Sequence, residues 1–326
     1  MGKEKSLIRV INVFPSVIEA AGSNARYAYE EFFYGEIENS HTRSAYKRNV
    51  DRFLRYLADK ELSLKDVTPK LVRNYMDDLK PISKNDPALS IATKKQHLAA
   101  LRHFFDIAVT RHAMLLNPAL SVRGQKYKVV EGKTPEIGIK EARKLLKSID
   151  TSSVIGKRDL AIIATLAYTG ARVGAVAKLT ISDFYRSGDQ YFFRFNEKGG
   201  KSREIPVRHD LKDLILAYMQ EASNNSARKD APLFRTLLRR TKVLSAKAVS
   251  AIDICRMVKL RVKQAGLSPR LSPHSFRVTV ATDLLTQGLD VKDVQYLLGH
   301  ADPRTTSLYD RRKQQVTRNL VERISI

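Results

Sequence analysis

Apolar residues at helical spacing dominate this chain and restrict it to a mainly helical fold. Tyr46, Val50, Phe53, Leu54 and Leu57 recur at three- and four-residue steps, which predicts an amphipathic helix over residues 40–59. Lys47, Arg48, Arg52 and Arg55 occupy the rest of its surface. Thr68-Pro69 puts a proline in a first helical turn and opens a second helix. Leu98, Leu101, Phe105 and Ala108 mark a third over 91–112. The stretch 80–90, with Pro81, Asn85 and Pro87, is a turn-rich loop. Residues 26–120 therefore read as a small helical bundle, preceded by an N-terminal extension at 1–25.

The periodic pattern lapses over 117–136, where Asn117-Pro118, Arg123-Gly124 and Thr134-Pro135 interrupt it. This marks a linker, placed at 121–135, and a second domain over 136–326. Helical patterns resume at 139–149, 158–169, 210–222, 245–265, 275–287 and 290–298. The apolar run ending at Thr169 meets Gly170, a helix stop. Gln190–Phe195 is aromatic-rich and strand-like. Asn196 to Lys201 forms a glycine-containing turn, and Ser202–Val207 returns as a second strand. The expected fold is mainly α with one small antiparallel β-sheet, the second domain being α+β.

The 58 Lys and Arg against 34 Asp and Glu leave a net charge of +24. Residues 1–125 carry 20 basic and 14 acidic side chains, and residues 126–326 carry 38 and 20. A folded chain with this excess in both parts calls for a polyanion, and nucleic acid is the expected one. The single cysteine, Cys255, excludes a disulfide within the chain and a thiol-built zinc site, and reads as a structural thiol on a helix. No apolar run is long enough to cross a membrane, and the charged N-terminus lacks a secretory signal. A cytoplasmic location follows as the expectation.

The chemistry is concentrated in a few residues. Thr169-Gly-Ala-Arg172, Ser272-Pro-His-Ser-Phe-Arg277, Leu297-Leu-Gly-His300 and Tyr309 supply two arginines, two histidines and a tyrosine. Arginine matches a phosphate bidentately and keeps its charge. Histidine or lysine moves protons near neutral pH. Tyrosine serves as a covalent nucleophile when cations make it phenolate-like. Together these groups suffice to attack a DNA phosphodiester without a metal.

In order, spacing and local context, these stretches resemble the tyrosine recombinases, the phage-integrase family of site-specific DNA recombinases. Glu197-Lys-Gly-Gly-Lys-Ser-Arg203 and Thr305-Thr-Ser-Leu-Tyr309 carry the same likeness. The resemblance implies a helical core-binding DNA domain followed by a catalytic domain of the tyrosine recombinase type. It implies that Arg172 and Arg277 clamp the scissile phosphate and that His274 assists beside it. Lys198 would be the general acid for the leaving 5′ oxygen, with Lys201 its rival three residues on. His300 would bond the phosphate or position the nucleophile, and Tyr309 would carry a 3′-phosphotyrosine intermediate. No metal, cofactor or ATP is implied. The implied partner is double-stranded DNA with inverted-repeat sites, bound by a homotetramer that exchanges a C-terminal segment such as Val316–Ile326. Lys47, Arg48, Lys94, Lys95, Lys201 and Arg203 are the expected DNA contacts. One departure stands out: Ala175 occupies the place of the family's usual acidic residue, and Asp183 is a candidate to replace it. The rival readings are a type IB topoisomerase, which nicks and reseals, and an inactive DNA-binding regulator of the same fold.

Overall fold

The computed structural model describes residues 14–81, 88–125, 134–196, 202–222, 228–238, 241, 243–299 and 306. The chain divides into two compact units, Met1–Lys128 and Val129–Ile326.

The first unit is helical: α1 (Ser16–Ala20), α2 (Ser23–Tyr34), α3 (Ser40–Ala58), α4 (Pro69–Asp78) and α5 (Ile91–Thr110). Side-chain caps set three of the starts. The Asn39 oxygen accepts the His41 and Thr42 amides, at 3.0 and 3.2 Å, ahead of α3. Thr68 accepts Leu71 N ahead of α4, and Ser90 accepts Thr93 N ahead of α5. The expected stripes turn inward, with Val50, Phe53, Leu54 and Leu57 on α3 and Leu98, Leu101, Phe105 and Ala108 on α5 all buried. Phe32, Phe33, Phe53, Phe104 and Phe105 lie at the centre, each contributing roughly 1.5–3 kcal/mol through lost water contact. Their rings meet edge to face, Phe32 to Phe33 at 4.7 Å and Phe53 to Tyr75 at 4.9 Å.

Part of the N-terminal extension expected over 1–25 is helical: α1 and the start of α2 lie within it, and Val17 and Ile18 are buried in the core. A five-residue helix spans too few turns to show a period in sequence, so only packing reveals it.

His97 on α5 is a buried polar group inside this unit, 5% exposed. Its Nδ1 has no hydrogen-bond partner among the described residues. Burial first, and then the Arg52 charge, lower its pKa to about 4. In an unfolded chain the ring takes a proton near pH 6.5. Between those values only the unfolded state gains the proton, so stability falls as pH falls through this window, by roughly 3 kcal/mol. Urea unfolding of the full chain from pH 7 to 4 should show this slope, and His97→Gln should flatten it by that amount. Identical slopes in the two chains would show that His97 does not carry the effect.

The second unit is α+β. Its helices are α6 (Ile139–Lys147), α7 (Val154–Thr169), α8 (Val173–Ala177), α9 (His209–Glu221), α10 (Ala251–Gln264), α11 (Pro273–Thr286) and α12 (Val291–Leu298). The expected hairpin is present as β2 (Gln190–Asn196) and β3 (Ser202–Pro206), paired antiparallel from Phe192↔Pro206 to Asn196↔Ser202. Two corrections apply. The sheet has a third strand, β1 (Phe184–Ser187), giving the order β1-β2-β3. A second, two-stranded sheet pairs β4 (Arg235–Leu237) with β5 (Leu244–Ala248). The helix expected over 245–265 therefore starts at Ala251, where Ser250 caps it by accepting Asp253 N. Lys247 and Ala248 suit a helix by propensity, so nothing local marks β5; its partner strand decides it.

Buried hydrogen bonds and close packing hold this unit's helices in register. Asp159 on α7 accepts Arg158 on one carboxylate oxygen and Arg261 of α10 on the other, each at 2.7 Å. Ile137 N donates to Thr279 Oγ1 at 2.9 Å, and that hydroxyl donates back to Ile137 O at 2.8 Å. Cys255 on α10 is half-buried, and burial pushes its thiol pKa up, in keeping with a structural thiol.

Candidate active site

The turn after α7 builds the first half of the site. Gly170 adopts φ +59°, where a side chain is strained. A Cβ there would lie 2.5 Å from Leu298 Cδ2, so glycine also lets α12 approach closely. Two residues on, Arg172 stands at the N-cap of α8 with an extended backbone and an exposed side chain.

Helix α11 builds the second half. Pro273 occupies its first turn, and Ser275 Oγ accepts the Ser272 amide. One turn of this helix then carries both His274 and Arg277. Arg277 is 3% exposed, and its Nη1 donates to the Gly170 carbonyl at 2.8 Å. The turn that carries one arginine thus orients the other.

Arg172, His274 and Arg277 share one open pocket of about 180 Å³, lined also by Ala171, Val173 and Pro273. Partial loss of water around its ring, followed by the charges of Arg277 and Arg172, lowers the His274 pKa below the ordinary histidine value. These surroundings therefore favour neutral imidazole beside two guanidinium groups. A phosphate entering it would offset that positive charge and raise the histidine's affinity for a proton. An anion subsite with an adjacent proton-handling group is what the arrangement provides.

The other expected groups have varied fates. Lys198, Lys201, His300 and Tyr309 lie outside the described residues, as does Val316–Ile326. Ala175 sits on α8 against the main core, with no charge to offer Arg172. Asp183 Oδ2 accepts Thr180 N at 2.9 Å and Thr180 Oγ1 at 2.8 Å. Arg203, expected to meet DNA, is 6% exposed. Its Nη1 donates to the Tyr296 carbonyl at 3.2 Å, and its guanidinium lies 5.5 Å from the Phe195 ring centre. Every second residue of β3 turns inward, and Arg203 is one of those. In the first unit Arg48 and Lys95 are exposed. Lys47 instead pairs with Asp51 and Tyr29, and Lys94 donates to Met76 O. What the sequence did not disclose is the Gly170 carbonyl as the seat of Arg277, since backbone acceptors carry no residue signature.

Residues 137–315 match the phage integrase family, and residues 29–112 match the phage integrase N-terminal SAM-like domain. The chain therefore belongs to the phage integrase family, the tyrosine recombinases. It is similar to the tyrosine recombinase XerD of Listeria innocua, 28% identical over 279 residues, covering 83% of this chain and 88% of that protein. XerD of Oceanobacillus iheyensis is 26% identical over 289 residues, covering 87% and 93%. The fold is also that of XerH site-specific recombinase in its post-cleavage complex with palindromic difH substrate. That match has a TM-score of 0.67 at 21% identity and covers 86% of this chain and 80% of XerH. A lambda integrase dimer bound to a COC′ core site matches with a TM-score of 0.62 at 19% identity, covering 90% and 76%.

Proposed function

We propose that this chain is a site-specific DNA recombinase that cuts and rejoins duplex DNA through a 3′-phosphotyrosine bond. The observation that carries this reading is the convergence of Arg172, His274 and Arg277 on one pocket within the family's catalytic domain. The two guanidinium groups meet the charge on the non-bridging oxygens as the phosphorus becomes five-coordinate. Neutral His274 stands ready to take or share a proton there. Tyr309 attacks, His300 supports the phosphate or the nucleophile, and Lys198 protonates the leaving 5′ oxygen. The phosphotyrosine preserves the energy of the broken phosphodiester, so rejoining needs neither ATP nor a metal.

Residues up to the linker form the core-binding part, and exposed Arg48 and Lys95 are its first candidates for phosphate contact. Four protomers act on two inverted-repeat sites, each passing its C-terminal segment to a neighbour. A lambda integrase tetramer bound to a Holliday junction, similar in fold at a TM-score of 0.61, supports this assembly.

The reading is tested with labelled fragments spanning the DNA that flanks the chain's own gene. Incubation without metal or nucleotide should yield a protein–DNA band that survives denaturing electrophoresis and disappears on protease treatment. No such band on any fragment would overturn the proposal.

The leaving-group acid has its own test. Lys198→Ala should lose cleavage of an ordinary phosphodiester and regain it on a 5′-bridging phosphorothiolate, because sulfur departs without a proton. Rescue of Lys201→Ala in place of Lys198→Ala would move the role to Lys201.

A further inference from the structure

Arg203 lies at a junction that the proposed reaction does not itself require. It sits on β3 and reaches 93 residues along the chain to the Tyr296 carbonyl of α12, at 3.2 Å. Its guanidinium is held over Phe195, its cross-strand partner on β2. One end of this link is firm: β3 is laddered to β2 over five residue pairs and needs no further support. The other end is a short element. Helix α12 has eight residues: Val294 and Leu298 pack with Val278, Ala281 and Leu285 of α11 in a small cluster, and Leu297 packs against the main core. Leu298 also rests on Gly170, whose carbonyl receives Arg277. The placement of α12 is thus coupled to the arginine pocket at one end and to the sheet, through Arg203, at the other. In sequence, Gly299 ends α12 and His300 follows at once.

We infer that Arg203 is a positioning residue for strand cleavage, acting by holding α12 against the pocket and not by touching DNA. This inference rests on the recombinase reading proposed above. The bond it makes is a charge-assisted one to a backbone carbonyl, partly buried from water. Losing it releases α12 and leaves β3 in place. The defect should therefore appear at the His300 side of the reaction and not in protonation of the leaving group.

The test compares Arg203→Met, which keeps the apolar stem, with Arg203→Lys, which keeps a donor able to reach the same carbonyl. Hydrogen exchange on the full chain is the first measurement. Amides of α12 should exchange at least about tenfold faster in Arg203→Met, with α7 unchanged, on the scale of one lost charged hydrogen bond. This measurement needs no catalysis. Unchanged exchange in α12 would overturn the inference whatever the chain does to DNA. Single-turnover cleavage is the second. Arg203→Met should bind duplex like the unaltered chain, cut roughly ten- to a hundredfold more slowly, and recover most of the rate as Arg203→Lys. The loss should persist on the bridging phosphorothiolate, and it should be non-additive with His300→Ala. Sulfur rescue would show that Arg203 acts through the β2–β3 hairpin. Full additivity with His300→Ala would separate it from α12. Either result overturns the proposal. An unaltered chain that forms no covalent complex would count against the recombinase reading, while the exchange data would still judge the tether.

Discussion

Tyr309→Phe should abolish the covalent protein–DNA complex while leaving duplex affinity within about twofold, because contacts elsewhere on the DNA backbone carry most of the binding. The substitution removes one phenolic oxygen and nothing else. That oxygen is the expected nucleophile, and phenylalanine has no atom that can form the phosphodiester link. A free tyrosine titrates near pH 10. Deprotonation at neutral pH therefore needs positive neighbours, which the Arg172 and Arg277 pocket would supply. The measurement is trapping on a nicked suicide substrate, which loses a short strand on cleavage and cannot rejoin. An adduct formed by the phenylalanine variant would place the nucleophile at another residue.

Arg172→Ala and Arg277→Ala should each slow cleavage by about two to three orders of magnitude at saturating DNA, the usual cost of deleting a group that meets charge in the transition state. Their effects on the protein should differ. Arg172 is exposed, so its loss should cost less stability than the loss of Arg277. Arg277 is buried and donates to Gly170 O, so its removal orphans that carbonyl and should lower stability by about 1–3 kcal/mol. Pairing single-turnover rates with urea unfolding separates the two contributions. Affinity and rate falling by equal factors would mean that these arginines bind ground-state DNA and do not act selectively on the transition state.

The helices with long stripes were legible because burial repeats with the helical period. Val50, Phe53, Leu54 and Leu57 announce α3 from sequence, and all four are buried. The aromatic run Tyr191-Phe192-Phe193 with its glycine turn announces the β2–β3 hairpin in the same way. Shorter elements were not legible. α1, β1 and the β4–β5 pair span three to five residues each, less than a period can establish, and they exist because a neighbour receives them. Among site residues, Arg172, His274 and Arg277 were legible by type, order and local context, and the structure brings them together. The burial of Arg203 was not legible, because a basic residue near a glycine turn looks like a surface cation until the strand's pleat is known.

By itself, the sequence determined the inventory: mainly helical units on either side of a polar break, a strong positive charge, and phosphate-handling groups in the family's order. These features are local, since period, turn chemistry and side-chain type can be read within a few residues. The tertiary structure alone decided which cations serve which purpose. Arg277 is buried against a carbonyl 107 residues away, Arg203 turns inward to reach α12, and Arg172 remains open to the pocket. Desolvation and a distant backbone acceptor set those outcomes, and both come into being only when remote segments pack.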